Sequence, residues 1–357
     1  MHTVDIIVPC YQYGGFLNEC VKSALSQQNV QVRVLIIDDA STDNTAEVAS
    51  ELALRDKSIV FHRHKANRGH ITTYNEGIEW AAAEFLLLLS ADDYLLPGAL
   101  DRAVRVLTES SELGFAFGAA IVLHEDGSTE PMHPLGPAVM NSRRLTMEGI
   151  AFIARSRATN IVPTATAVVR TELQKHVGGY RHDLPHSADM EMWMRLAAQA
   201  PVGFVCAYQA VYRQHGLNMS RGYYGEYILR DLCQREKALD AAFSGLPAGT
   251  ADAIQSYLLN DLALKAIREA NTAFNHGNLT LCREILEYAV ALSPGCKQSL
   301  PWAKLAFKLT IGPANWRVLS SAKRLLQQNL KPLQRGPARM RDTQKRVGRS
   351  PDERNGG

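Results

Sequence analysis

The adjacent aspartates Asp92 and Asp93 have the residue type and the placement to hold a metal ion with a diphosphate, and a second aspartate pair ends another apolar run. Asp92 and Asp93 follow the apolar run FLLLL at 85–89, and Asp38 and Asp39 close the run VRVLIIDD. Carboxylates suit Mg²⁺, which usually takes one or two of them and completes its shell with water and substrate phosphates. An aspartate pair shortly before Pro97 can equally cap a turn, so this pair alone leaves both interpretations open.

The elements that must position these aspartates alternate between strand and helix over the first hundred residues. Apolar runs of strand length lie at 4–9, 32–38, 58–64 and 85–89. The segments between them place their apolar residues on one helical face. This alternation predicts a mostly parallel, Rossmann-like α/β sheet flanked by helices. Ligands bind at the carboxyl ends of such strands, which is where the aspartate pairs fall.

The rest of the chain divides by its pattern into further segments. We expect a domain over 1–220, composed of a nucleotide-binding lobe (1–113) and an acceptor lobe (114–220) that includes a strand at 164–169. An all-helical C-terminal region over 221–330 follows, with a helical hairpin that turns at 275–278. The basic segment 331–357, rich in Arg, Gly and Pro, has the composition of a disordered tail.

Composition excludes several classes of protein. The formal net charge is +3, but eight basic and three acidic residues lie in 331–357, which leaves the preceding 330 residues at −2. That balance argues against a basic nucleic-acid surface.

Six scattered cysteines without a CxxC pair predict buried free thiols in a reducing compartment. With no apolar run of about 18–20 residues and no signal peptide, we expect a cytoplasmic protein.

Six segments in order and spacing resemble the motifs of family 2 glycosyltransferases with the GT-A fold: VDIIVPCYQYGGFLNECVKSALSQQ, VLIIDDASTDNT, NRGHITTYNEGI, LLLLSADDYLLP, SADMEMWMRLA and YRQHGLNMS. The resemblance covers roughly residues 3–220. It implies a metal-dependent, inverting transfer of a sugar from a nucleotide-diphospho-sugar, with UDP as the expected nucleotide. The acceptor would be a hydroxyl of a saccharide or a lipid-linked molecule, in polysaccharide, glycolipid or other glycoconjugate synthesis.

The resemblance also implies roles for residues that would bind the donor. The turn after the first strand and the aspartate after the second would hold the nucleotide, which assigns Pro9, Tyr11 and Asp39. Ser41 and Thr42 would support that loop, and either one is a plausible N-cap of the helix that follows. From its position at the rim, Arg68 could pair with a phosphate or remain a solvated surface residue.

A second group of residues would bind the metal ion, Mg²⁺ or Mn²⁺. Asp92 and Asp93 match the metal-binding aspartate motif, although Ser90 stands where the family often has another aspartate. His215 matches a histidine that approaches the metal or the diphosphate in related enzymes. His62 and His64 alternate along one strand, but without a third ligand at suitable spacing they do not predict a zinc site.

The catalytic base implied by the resemblance is Asp189, whose family motif commonly has a glutamate where Ala188 stands. Such a base removes the proton of the acceptor hydroxyl. Asp189 could also be the N-cap of the helix over 190–200, and the two roles are compatible because the helix dipole favours a carboxylate there.

Two other functions and one membrane contact stay open at this point. A sugar-1-phosphate nucleotidyltransferase would need a glycine-rich basic loop after the first strand, which the sequence lacks. A degenerate transferase that binds a partner through its helical region is suggested by Ser90 and Ala188, but it would not need Asp39, Asp92, Asp93 and Asp189 together. The basic tail could dock on an anionic membrane leaflet, at the inner face where lipid-linked acceptors reside.

Overall fold

The computed structural model describes residues 1–142, 145–216, 218, 227–244 and 249–330. The strands are β1 His2–Cys10, β2 Val30–Asp38, β3 Ile59–Arg63, β4 Phe85–Leu88, β5 Tyr94–Leu95, β6 Phe115–His124, β7 Thr129–Met132, β8 Leu145–Met147, β9 Val168–Arg170 and β10 Val202–Gln214. The helices are α1 Gly14–Leu25, α2 Thr45–Arg55, α3 His70–Trp80, α4 Ala99–Glu109, α5 Gly149–Ser156, α6 Thr171–Val177, α7 Ala188–Ala197, α8 Ile228–Phe243, α9 Thr250–Asn275, α10 Leu279–Leu292 and α11 Leu300–Leu330.

One mixed sheet organises these elements and confirms the predicted α/β class. Its strand order is β3-β2-β1-β4-β9-β6-β10-β5, with β7 against β6 and β8 against β10. The first half is parallel, since β1 pairs in parallel with β2 and β4, and β2 with β3. In the second half β9 runs antiparallel to both β4 and β6, whereas β6 and β10 are parallel. Helices cover the sheet, as expected for strands whose apolar runs are continuous.

The register of the parallel strands brings their carboxyl ends to one edge. Cys10 pairs with Asp38 across β1 and β2, and Ile7 pairs with Leu88 across β1 and β4. All residues of β1 from Val4 to Cys10 are buried, because helices cover both faces of the strand. The polar residues that follow β1, β2 and β4 therefore emerge side by side.

Two local predictions were wrong. Helix α2 begins at Thr45 with Asn44 as its N-cap residue, whereas Ser41 accepts a hydrogen bond from Gln12 N at 2.9 Å and so joins two loops instead. The strand expected over 164–169 is a 3₁₀ turn, Thr164–Thr166, followed by β9. That turn forms because the backbone N–H and the hydroxyl of Thr166 both donate to the Pro163 carbonyl, each at 2.8 Å.

The chain forms two compact units. The first, Met1–Trp302, contains the sheet together with α8, α9 and α10, so these three helices belong to the same body as the sheet. The predicted hairpin is confirmed, since α9 ends at Asn275 and α10 begins at Leu279. The second unit starts at Ala303, and in it α11 is interrupted at Gly312, whose φ is 80°. The predicted boundary at residue 220 stays a prediction, and 331–357 lie outside the described residues.

Two further observations bear on the environment of the protein. All six cysteines are free thiols, and Cys206 and Cys233 are only partly buried, so the expectation of burial holds for the other four. Among the described residues, no helix is both long enough and apolar enough to cross a membrane.

Candidate active site

The loops that follow β1 and β2 are joined by hydrogen bonds at the rim of the sheet. Asp39 N donates to Cys10 O at 2.9 Å, and the side chain of Gln12 donates to Thr42 Oγ1 at 2.8 Å. Gln12 itself adopts a left-handed backbone conformation with φ of 63°. These bonds place Pro9 and Tyr11 beside Asp39 at one end of a cleft, where Tyr11 is 46% exposed.

The Asp39 carboxylate is buried and shapes the loop before α3. It accepts hydrogen bonds from Arg68 N at 2.7 Å and from Gly69 N at 2.9 Å. His64 Nδ1 lies 2.7 Å from the same carboxylate, and His64 Nε2 lies 2.7 Å from Glu76 of α3. Burial lowers the pKa of His64, but the hydrogen bonds to both carboxylates outweigh it and raise that pKa. His64 therefore joins Asp39 to α3, and its raised pKa favours the protonated form.

The sequence suggested that Arg68 could pair with a phosphate, but its side chain does not line the cleft. Its guanidinium forms an ion pair with Glu76, and Arg68 is absent from the described residues that line the cleft. The backbone of Arg68 holds Asp39 instead, so contact of its side chain with a phosphate stays a prediction.

Glu76 also supplies the third potential ligand that the sequence did not reveal beside His62 and His64. One ligand atom from each of these three residues lies within 4.8 Å of the others. The group is already compensated, because Arg68 neutralises Glu76 and the raised pKa of His64 favours its protonated form, which cannot bind a metal. This cluster is a hydrogen-bonded support for Asp39 and a poor metal site.

Asp92 and Asp93 are both buried at the end of the strand that precedes them, with 4% and 5% of their surface exposed. Asp93 accepts a hydrogen bond from Arg213 N of β10 at 2.9 Å, so one of its oxygens is committed to the sheet. Burial and the adjacent Asp92 carboxylate raise the pKa of Asp93 well above its usual range. Two carboxylates buried together repel each other, and a bound cation would relieve that repulsion.

The two oxygens of Asp92 have different surroundings. Oδ2 lies 3.0 Å from His215 Nε2 and 3.2 Å from Asn218 Nδ2. Oδ1 is buried and accepts no hydrogen bond from any residue that the structure describes. Leaving a buried carboxylate oxygen without a hydrogen-bond partner costs free energy. Carboxylate oxygens are the ligands that hard divalent cations such as Mg²⁺ prefer. The unpartnered Oδ1 of Asp92 fits such an ion, but among the described residues Asp92, Asp93 and His215 do not bring one ligand atom each into a close group of three.

Aromatic residues of the first helix region hold His215 against Asp92. The Phe16 ring stacks on His215 with centroids 5.1 Å apart, and the Tyr13 ring meets it edge-on at 5.5 Å. The Arg213 guanidinium lies over Phe16 at 5.2 Å. Tyr13 and Phe16 were not predicted as site residues, although both lie in the first of the six motifs. Leu217 and 219–220 of the YRQHGLNMS motif lie outside the described residues.

Asp189 is the second residue of α7, and Ser187 precedes that helix as the N-cap residue, so the N-cap role considered for Asp189 is wrong. Its Oδ2 accepts a hydrogen bond from Thr164 Oγ1 at 2.9 Å. Burial raises the pKa of Asp189, and the hydrogen bond from Thr164 and the nearby His70 and His186 oppose that rise only in part. The structure thus provides a buried carboxylate that is more basic than an ordinary aspartate.

Two other residues of the Asp189 motif are structural. Trp193 is buried against Phe115, with ring centroids 5.6 Å apart. Arg195 pairs with Glu191 at 2.8 Å and donates to the Gly179 carbonyl at 2.8 Å. Neither side chain lines the cleft among the residues described.

A single cleft of about 1690 Å³ collects most of the predicted site residues: Pro9, Tyr11, Asp39, Asp92, Asp93, Asp189 and His215. A pocket for one drug-sized ligand measures about 300–1,000 Å³, so this volume has room for two substrates. The cleft lining also includes the apolar residues Met132, Ile161, Val162 and Pro163. The cleft therefore offers both carboxylates and apolar surface to a ligand.

Comparisons with known proteins show which family and which fold this chain resembles. The family model described as glycosyl transferase family 2 matches residues 5–165. An uncharacterized protein, MT1568, of Mycobacterium tuberculosis is 25% identical over 242 residues, which are 66% of this chain and 72% of that protein. An uncharacterized glycosyltransferase of Rickettsia felis is 24% identical over 203 residues, which are 56% of this chain and 32% of that protein. This chain thus matches only about a third of the length of the Rickettsia relative.

Among solved structures, residues 1–349 of TarS from S. aureus in complex with UDP-GlcNAc resemble this chain with a TM-score of 0.54 and 15% identity. The alignment covers 80% of this chain and 90% of that one. At this identity the likeness shows only that the two chains share a fold. In this chain that fold is the sheet described above.

Proposed function

We propose that this chain, whose residues 5–165 match the model of glycosyl transferase family 2 and whose fold is GT-A, transfers a sugar from a UDP-sugar to a hydroxyl acceptor with inversion. One observation carries the proposal. A buried carboxylate of raised pKa, Asp189, lines the same cleft as Asp92, whose Oδ1 is buried without a hydrogen-bond partner in the described chain. A proton acceptor and a place for a cation with a diphosphate are the two parts that such a transfer needs.

The nucleotide would bind at the rim formed by β1 and β2. Pro9 and Tyr11 would contact the base and ribose. Asp39 would accept a hydrogen bond from the base through Oδ2, because Arg68 N and His64 occupy Oδ1 and only Gly69 N donates to Oδ2. The TarS structure contains UDP-GlcNAc, and that likeness in fold supports a uridine nucleotide as the first one to test.

Asp92 would be the direct ligand of a Mg²⁺ or Mn²⁺ ion through its unpartnered Oδ1. Asp93 is tied to β10 through Arg213 N, which favours Asp92 over Asp93 for direct contact. His215 would approach the ion or the diphosphate from the side where it lies beside Asp92 Oδ2. A bound cation would neutralise charge on the departing diphosphate.

Asp189 would act on the acceptor. Its carboxylate takes the proton of the acceptor hydroxyl as the acceptor oxygen bonds to the anomeric carbon of the sugar. The bond from that carbon to the diphosphate oxygen breaks, and the diphosphate keeps the electron pair. Because the acceptor attacks the face opposite the leaving group, the product has inverted configuration. Thr164 fixes the orientation of the carboxylate through its hydroxyl.

The acceptor would lie near Asp189, against apolar residues of the same cleft. Met132, Val162 and Pro163 offer apolar surface to the carbon face of a sugar ring or to a lipid-linked saccharide. Docking on a membrane through 331–357 would bring such acceptors near, and that part of the proposal lies outside the described residues.

Thermal stabilisation by ligands tests the proposal, because a ligand that binds the native state raises its apparent stability. The protein is heated with UDP, GDP, UDP-GlcNAc and other nucleotide sugars, each with Mn²⁺ and with EDTA. We expect a shift with uridine species that needs Mn²⁺ and is lost in Asp92→Asn.

Asp101→Asn is the matched control, because Asp101 pairs with Arg105 on the surface of α4 away from the cleft. It should leave the shift unchanged. Stabilisation by UDP that is equal with Mn²⁺ and with EDTA would overturn the metal site, and no stabilisation by any nucleotide would overturn the proposed function.

A further inference from the structure

The short loop that leads into α7 is held on one side by α3. His70 Nε2 lies 2.8 Å from the carbonyl oxygen of Pro185, so the ring N–H donates to it. This loop delivers Asp189 to the cleft, and its placement sets the position of the Asp189 carboxylate.

Helix α8 holds the same loop from the other side, through Gln234. Gln234 Oε1 accepts hydrogen bonds from His186 N at 2.8 Å and from Ser187 N at 3.3 Å. Backbone N–H groups at a helix N-terminus lack partners within the helix and need an acceptor. In the part of the chain that the structure describes, the Ser187 side chain forms no capping hydrogen bond, so Gln234 supplies acceptor capacity that the loop does not.

A second residue of α8 reaches the same loop. Asp231 lies 2.9 Å from His186 Nε2 and 2.7 Å from Arg235 Nε. Arg235 in turn donates to the Ala158 carbonyl at 3.2 Å. Asp231 is 3% exposed, and both Asp231 and Arg235 line the cleft. Helix α8 thus contributes a wall of the cleft in addition to its contacts with the loop.

We infer that Gln234 is a positioning residue for the transfer, which fixes the backbone of His186 and Ser187 so that the Asp189 carboxylate meets the acceptor hydroxyl. This inference rests on the proposed role of Asp189 as the base. It places part of the catalytic apparatus in α8, beyond the 5–165 segment matched by the family model. The helical region is then a part of the active site, in contrast to the separate binding module considered from the sequence.

Geometry explains why a bond two residues away affects the reaction. Asp189 follows Ser187 by two residues, and Glu191 N donates to Ser187 O at 3.0 Å to begin the helix. A shift of Ser187 therefore moves the first turn of α7 with it. A displacement of about 1 Å at a reacting group can cost about 10²-fold in rate.

Substitutions at Gln234 test the inference. Gln234→Met keeps the approximate volume and removes the acceptor, whereas Gln234→Glu keeps an acceptor oxygen in the same place. The assay measures release of UDP with Mn²⁺ from the UDP-sugar that stabilises the protein most, with water or a simple saccharide as the acceptor. We expect kcat to fall by about 10- to 100-fold in Gln234→Met, with the KM for the donor unchanged, and to recover in Gln234→Glu.

Lys237→Met is the control, since Lys237 is exposed on the same helix one turn away. If Gln234→Met fails to fold, Gln234→Asn decides, because it keeps an amide whose reach is one methylene shorter. A soluble Gln234→Met or Gln234→Asn variant with wild-type kcat would overturn the inference.

Asp189→Asn separates this inference from the proposed function. Loss of activity in Asp189→Asn with full activity in the Gln234 variants would reject the inference alone. Full activity in Asp189→Asn would reject the proposed base as well. A loss in Gln234→Met that Gln234→Glu does not recover would also overturn the inference, because it would show that the acceptor oxygen is not what matters.

Discussion

Replacing Asp189 with Asn is expected to remove the catalytic base while leaving the cleft in place. The Asn side chain has nearly the same shape, and its carbonyl oxygen can still accept the hydrogen bond that Thr164 Oγ1 donates at 2.9 Å. Loss of a general base lowers kcat by about 10²- to 10⁴-fold. At about 1.36 kcal/mol for each factor of ten, this corresponds to about 3–5 kcal/mol of transition-state stabilisation.

The same substitution is expected to leave stability unchanged or to raise it at neutral pH. Burial raises the pKa of Asp189, so the folded state binds the proton more tightly than the unfolded chain does. As pH rises from the ordinary aspartate range through the folded pKa, the wild-type protein therefore loses stability because a charge must stay buried. Asn carries no charge, so the thermal midpoint of the variant should depend less on pH over this window.

The pH dependence of kcat provides an independent check. Only the deprotonated carboxylate accepts a proton, so activity should rise with pH through the folded pKa of Asp189. Since burial raises that pKa, the acidic limb should lie above the ordinary aspartate range near about 3.9. The limb should be missing from the residual activity of the Asn variant.

UDP release at several pH values, with thermal midpoints measured in the same buffers, tests all three expectations. Asp183→Asn is a matched control, because Asp183 is exposed and pairs with Arg181 at 3.2 Å outside the cleft. Wild-type kcat in Asp189→Asn would refute the role of Asp189. A loss of activity accompanied by a large fall in the thermal midpoint would refute the view that the carboxylate serves chemistry at the expense of stability.

Two further predictions concern the support of the site. The raised pKa of His64 means that its protonated form stabilises the fold, and this contribution is complete below the ordinary histidine pKa of about 6.5 and is lost as pH rises through the folded value. The free energy of unfolding of His64→Gln, measured with urea, should therefore fall less with rising pH over that window than the free energy of unfolding of the wild type. The same pH dependence in both proteins would contradict the assignment. A Cβ on Gly77 would lie 2.2 Å from Ile7 Cγ2, so Gly77→Ala should lower the free energy of unfolding by about 1–3 kcal/mol. Gly15→Ala, where a Cβ meets nothing within 4 Å, should not be destabilising in the same urea assay, and equal effects of the two would refute the packing argument.

The polar residues at the rim could be located from the sequence because strand periodicity is local. Runs such as VDIIVP and FLLLL predict buried parallel strands, and parallel strands place their carboxyl ends at one edge. Pro9, Tyr11, Asp39, Asp92 and Asp93 accordingly line one cleft. Ser41 and Thr42 were mistaken for helix caps because the loop they occupy is fixed by Gln12, which lies about thirty residues earlier.

Partnerships between distant segments could not be read from the sequence. Glu76 meets His64 only because α3 packs beside the end of β3, and Thr164 meets Asp189 only because a 3₁₀ turn interrupts the expected strand. The amino-acid pattern by itself determined the order of strands and helices and the edge where the aspartates lie, because hydrophobic periodicity acts over a few neighbouring residues. Only the tertiary structure decided that Asp92 keeps an oxygen without a hydrogen-bond partner, that the pKa of Asp189 is raised and that α8 holds the loop before Asp189. The reason is that burial and hydrogen bonding depend on contacts between segments far apart in the chain.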